Sequence, residues 1–146
     1  MRPGHSMDTR NILISVKEQY AQKIKLGIKC VELRKYFPAG KEGARVYVYV
    51  PAPRKEIIGY FCIEKITRLP IDILWKADGK KSSLSEMEFF TYFTGKKHGI
   101  AIHFKKFIQL HATFSLDYIR KIHPKFCPPQ SYIYLNTDIE NLFFAN

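Results

Sequence analysis

Lys29, Glu32 and Arg34 stand close together in the run Gly27-Ile28-Lys29-Cys30-Val31-Glu32-Leu33-Arg34. A guanidinium can hold a phosphate through paired N–H bonds, and a lysine adds a mobile point charge. A carboxylate between them can orient either cation or accept from a base amino group. Such a set suits one nucleotide. Val31 and Leu33 alternate with Glu32 and Arg34, the two-residue period of a strand. On a strand, Glu32 and Arg34 share one face, Val31 and Leu33 turn to the core, and Lys29 lies at the strand's mouth. Two plainer readings compete: a charged face turned to water, and a Glu32–Arg34 pair that only stiffens the fold.

Other residues extend this set. Lys17, at the end of a first strand, is a further phosphate contact or a solvated terminus. Tyr47 and Tyr49 share a strand face, and aromatic rings beside basic residues make stacking platforms for unpaired bases. Core packing is the alternative for them. In Pro128-Pro129-Gln130-Ser131-Tyr132 two prolines stiffen a segment that carries an amide and two hydroxyls. No metal or cofactor is expected. The histidines lack H-E-x-x-H spacing, no carboxylate cluster appears, and Gly40-Lys41-Glu42-Gly43 is a turn rather than a phosphate loop.

These side chains need a scaffold. Residues 11–17 read as a strand, followed by a helix from Glu18 with Tyr20, Ala21 and Ile24 on one face and Gly27 closing it. Further strands are expected at 46–50, ended by Pro51 and Pro53, and at 57–66, with Gly59 as a bulge. A short helix over 71–75 precedes a turn at Asp78-Gly79. Ser83 and Glu86 form a capping box for a helix that closes near Gly95. Strand 99–110, a short helix over 115–122 and a last strand at 131–135 complete the series. The apolar tail at Leu142, Phe143 and Phe144 is expected to pack onto the body. Periodicity thus predicts a β-rich α+β fold.

Composition fits one domain. The chain has 146 residues, 46% hydrophobic and 14% aromatic, enough for a packed core. Residues 1–7 are set apart from a single domain over 8–146, because Met1 to Ser6 read as an artificial remnant ahead of a native start at Met7. Twenty-four Lys and Arg against 13 Asp and Glu leave a formal charge of +11, so a polyanion is the expected partner, nucleic acid first. No basic amphipathic helix or membrane-length apolar run points to a membrane. Three cysteines, Cys30, Cys62 and Cys127, form neither a disulfide framework nor a zinc motif, which suits a reducing cytoplasm.

Gly27, Lys29, Glu32 and Arg34 reproduce a G-x-K-x-x-E-x-R signature, and in this the chain resembles the ASCH family of the PUA-like superfamily. The opening strand 12–17, Tyr20-Ala21, Tyr47-Val48-Tyr49, Ile58-Gly59-Tyr60 and the late Pro-Gln-Ser segment match in order, over about residues 11–135. The resemblance implies a small mixed β-barrel with short flanking helices, and an RNA- or modified-nucleotide-binding cleft formed by Lys17, Lys29, Glu32, Arg34, Tyr47, Gln130 and Tyr132. It also implies a regulatory role in transcription or translation.

An enzymatic alternative comes from the same resemblance. Some relatives are metal-independent ribonucleases using a lysine with tyrosine and serine hydroxyls; Lys29, Glu32 and Ser131, with Tyr20 or Tyr47, would serve here. Others deacetylate N4-acetylcytidine with the motif lysine, a threonine three residues on and a later glutamate. Here that threonine position is Glu32, and Glu64 is the available later carboxylate.

Overall fold

The computed structural model describes residues 10–145, so the artificial remnant expected at residues 1–7 lies outside the described residues. Among the described residues eight strands form two sheets. In the larger one the order is β7 (Phe107–Ser115), β4 (Glu56–Cys62), β3 (Arg45–Val50), β1 (Ile12–Ser15) and β8 (Tyr132–Tyr134); in the smaller it is β2 (Val31–Arg34), β6 (His98–His103) and β5 (Lys65–Pro70). Among the described residues only β1 and β3 pair in parallel, with Ile12 opposite Val46 and Ser15 opposite Tyr49; the other pairs are antiparallel. Helices α1 (Glu18–Lys25), α2 (Ile71–Asp78), α3 (Glu86–Tyr92), α4 (Leu116–Ile122) and α5 (Thr137–Leu142) flank the sheets.

The α+β expectation holds. The strands lie as two sheets, and a core of Ile12, Ile14, Val46, Val48, Val50, Phe61, Ile100 and Ile102 draws on both of them. The alternate residues of β1 and β3, namely Leu13, Tyr47 and Tyr49, are also buried, in a second core with α4, α5 and Phe143. The central strands are therefore covered on both faces, which explains their unbroken apolar character. No helix among the described residues is long and apolar enough to cross a membrane.

Three expected boundaries moved. The strand expected over 57–66 divides after Cys62, and its two parts enter different sheets. The strand expected over 99–110 divides in the same way into β6 and β7. A period of two carries on through each corner, so the pattern alone does not reveal the change of sheet. The capping box is Ser85 with Glu88, two residues later than expected, because Ser83 takes a left-handed φ of 66° and closes a 3-10 turn over Gly79–Ser82. Gly59 does sit at an irregularity in the β4–β7 pairing; a Cβ there would lie 2.3 Å from the Ile108 carbonyl oxygen.

Candidate functional site

Gly27, at φ +76°, turns the chain out of α1, and the Lys29 amide then donates to the Lys23 carbonyl at 3.0 Å. This folds Lys29 back under the helix just ahead of β2. Lys29, Glu32 and Arg34 are only 3%, 7% and 8% exposed, which rules out a charged face turned to water. They form the floor of a cleft of about 570 Å³, a size usual for small-molecule sites. Its sides include Tyr20 from α1, Leu84, and Met87, Glu88, Thr91 and Tyr92 from α3. Lys17 and Gln130, both exposed, line it as well.

The floor is an ordered network. Glu32 Oε2 accepts from Arg34 Nε at 2.9 Å and from Nη2 at 2.6 Å, while Glu32 Oε1 lies 3.3 Å from Lys29 Nζ. Lys29 also donates to the Ser82 carbonyl at 2.6 Å. Arg34 reaches the Ser15 carbonyl at 2.8 Å and the Ser131 carbonyl at 3.1 Å, so one guanidinium ties β1, β2 and the segment before β8 together. Burial resists ionisation of Glu32, but Arg34 and then Lys29 outweigh it and hold the carboxyl below its usual range. Both cations keep part of their donor capacity: these bonds take four of the guanidinium's five N–H groups and two of the ammonium's three. On the wall, Tyr20 donates to Glu88 Oε2 at 3.1 Å, and burial raises the Tyr20 hydroxyl pKa.

Lys17, Lys29, Glu32, Arg34 and Gln130 thus meet in one cleft. Ser131 joins through its backbone carbonyl. Tyr132 packs beside Phe37 and the first core instead of lining the cleft. Tyr47 does not belong to the cleft: it is 0% exposed, in the second core, and its hydroxyl donates to Glu140 Oε2 at 2.6 Å. A ring with no open surface cannot stack on a base. The alternation with valine that marked it belongs to a strand buried on both faces. Glu64 also lies elsewhere, exposed and 3.3 Å from Lys105 Nζ.

Sequence reasoning missed Glu88, Met87, Thr91 and Tyr92. The Ser85-x-x-Glu88 cap was readable, but its packing across from α1 was not. Among the described residues no group of three or more His, Cys, Asp or Glu could hold a metal ion.

An α+β domain with a charged-floored cleft between α1, α3 and β2 is the class that fold and site define. No family model matches the chain. It is 30% identical over 131 residues to an ASCH domain-containing ribonuclease of Zymomonas mobilis, covering 90% of this chain and 88% of that protein. The chain belongs to the ASCH domain family. A crystal structure of ASCH from the same organism superimposes with a TM-score of 0.85 at 29% identity, covering 92% of this chain and 93% of that one. A large ribosomal subunit protein uL22 of Ureaplasma parvum is 33% identical over 99 residues, 67% of this chain but 32% of that protein.

Proposed function

We propose that this domain binds single-stranded RNA in the cleft floored by Lys29, Glu32 and Arg34, with Lys17 and Gln130 contacting the strand at the rim. The observation that carries this reading is the convergence of three ionised side chains at the base of an open 570 Å³ cleft. Folding alone does not require it, because a buried ion network is on balance a weak source of stability. A formal charge of +11 supplies the long-range attraction for a polyanion. In this reading the two sheets form a partly closed barrel around the shared core, and the protein works in the cytoplasm as a regulator of transcription or translation.

The test is anisotropy titration of a fluorescein-labelled RNA oligomer at two salt concentrations. Affinity falls steeply between about 50 and 200 mM salt if several phosphates are neutralised. Affinity that stays flat refutes the reading.

The name of the Zymomonas relative favours a second reading, RNA cleavage; the family resemblance adds that it would need no metal. Lys29 would then hold charge as a ribose 2′-hydroxyl attacks phosphorus and the bond to the 5′-oxygen breaks, leaving a 2′,3′-cyclic phosphate. Of the Ser131 and Tyr20 hydroxyls, one would take the 2′ proton and the other give one to the departing 5′-oxygen, with Glu32 orienting Lys29. Cleavage of labelled RNA in EDTA that disappears in Lys29→Ala supports this; intact RNA that stays bound leaves the domain a binding module.

A further inference from the structure

The cleft is much less basic than the protein around it. Lys17, Lys29 and Arg34 face Glu32 and Glu88 across it, three cations against two carboxylates. A net of +1 in a chain of +11 places most of the attraction for phosphate outside the cleft. The cleft sides, with Leu84, Met87, Tyr20 and Tyr92, are largely apolar or aromatic, and Met87 is left 79% exposed. A planar, uncharged heterocycle suits such walls better than a phosphate does.

The order of groups on the floor narrows the choice further. Lys29 holds Oε1 of Glu32 and Arg34 holds Oε2, so the carboxylate lies between two cations. By count, one N–H of Lys29, one N–H of Arg34 and a lone pair of Glu32 Oε1 are left over. Taken in the order Lys29, Glu32, Arg34 they read donor, acceptor, donor. The complement is acceptor, donor, acceptor. Adenine and cytosine would turn a ring-nitrogen acceptor toward the Glu32 carboxylate, and guanine would set an amino donor against a cation.

We propose, resting on the RNA reading above, that the cleft takes one uracil-type base, with O4, N3–H and O2 facing Lys29, Glu32 and Arg34. Phosphates on either side are held at the rim and on the basic surface beyond it. The base is selected because every other edge leaves a buried charged group facing its own kind.

The experiment is anisotropy competition at one salt concentration, using the full chain with oligouridine, oligocytidine, oligoadenosine and an oligouridine methylated at N3. Oligouridine is expected to bind roughly tenfold or more tightly than the other two, from the discrimination of one well-matched base edge. N3-methylation, which removes the donor without changing charge, abolishes that advantage. Thr91→Trp, a substitution at an exposed cleft position away from the charged floor, also abolishes it while leaving weak binding to all three. Equal binding of all bases, an unaffected N3-methyl oligomer, or a preference that survives Thr91→Trp overturns the assignment and leaves RNA binding standing. Absence of binding to any oligomer at low salt overturns the RNA reading itself.

Discussion

Two carboxylates in this domain collect polar partners, and they show what separates a site from a knot. Glu32, below α1 and α3, is gripped by Lys29 and Arg34 and opens onto a cleft. Glu140, on α5, accepts from Tyr47 at 2.6 Å and from Asn11 at 2.6 Å, with Arg45 stacked over Tyr60 and reaching the Tyr47 hydroxyl at 3.4 Å. The Tyr47 ring is closed in by Phe143, 5.1 Å between centroids, and by Tyr60. Both networks are well satisfied. They differ in charge and in access: the first buries two cations around one anion beside empty space, and the second mainly anchors a terminal helix to the sheet.

The largest expected effect follows from that charge difference. Glu32→Ala leaves Lys29 and Arg34 buried without their anion and is expected to cost about 3–5 kcal/mol in urea denaturation. Glu140→Ala removes an acceptor from one hydroxyl and one amide, for about 1–2 kcal/mol. Equal losses in the two variants would break the comparison.

Acid sharpens it. Although burial opposes its charge, Glu32 titrates below the usual 4.5 because Arg34 and Lys29 stabilise the ionised form. Its contribution to stability is therefore complete above about pH 4.5 and is lost as pH falls below that and through the folded-state value. Glu32→Gln should flatten that acid limb, measured as the urea midpoint against pH. An unchanged slope would mean that Glu32 is not held this way.

The smallest effect belongs to the sealed region. Tyr47→Phe removes one hydroxyl from the Glu140 network while Asn11 remains bonded, so a loss of about 1 kcal/mol is expected. RNA affinity should not change, since Tyr47 has no open surface. A drop in affinity without a matching drop in stability would show that the second core communicates with the cleft.

Much of this was legible beforehand. The alternation of Val31 and Leu33 with Glu32 and Arg34 marks β2, Gly27 marks the end of α1, and the charged trio marks the floor. Tyr47 shows the limit. A Val-Tyr-Val-Tyr run looks the same whether its tyrosines face solvent, a cleft or a helix, and only the docking of α4 and α5 makes the second face a core. The corners after Cys62 and His103 were hidden for a related reason: side chains keep alternating where a strand changes sheet.

The sequence by itself determined most of the elements, the family signature and the identity of the charged trio, because local periodicity and caps depend on neighbouring residues. Tertiary structure alone decided that α3 would face α1 across that trio, that Glu88 and Tyr92 would join it, and that Tyr47 would be sealed away. Those outcomes depend on which surfaces exclude water from one another, and groups distant in sequence settle that together.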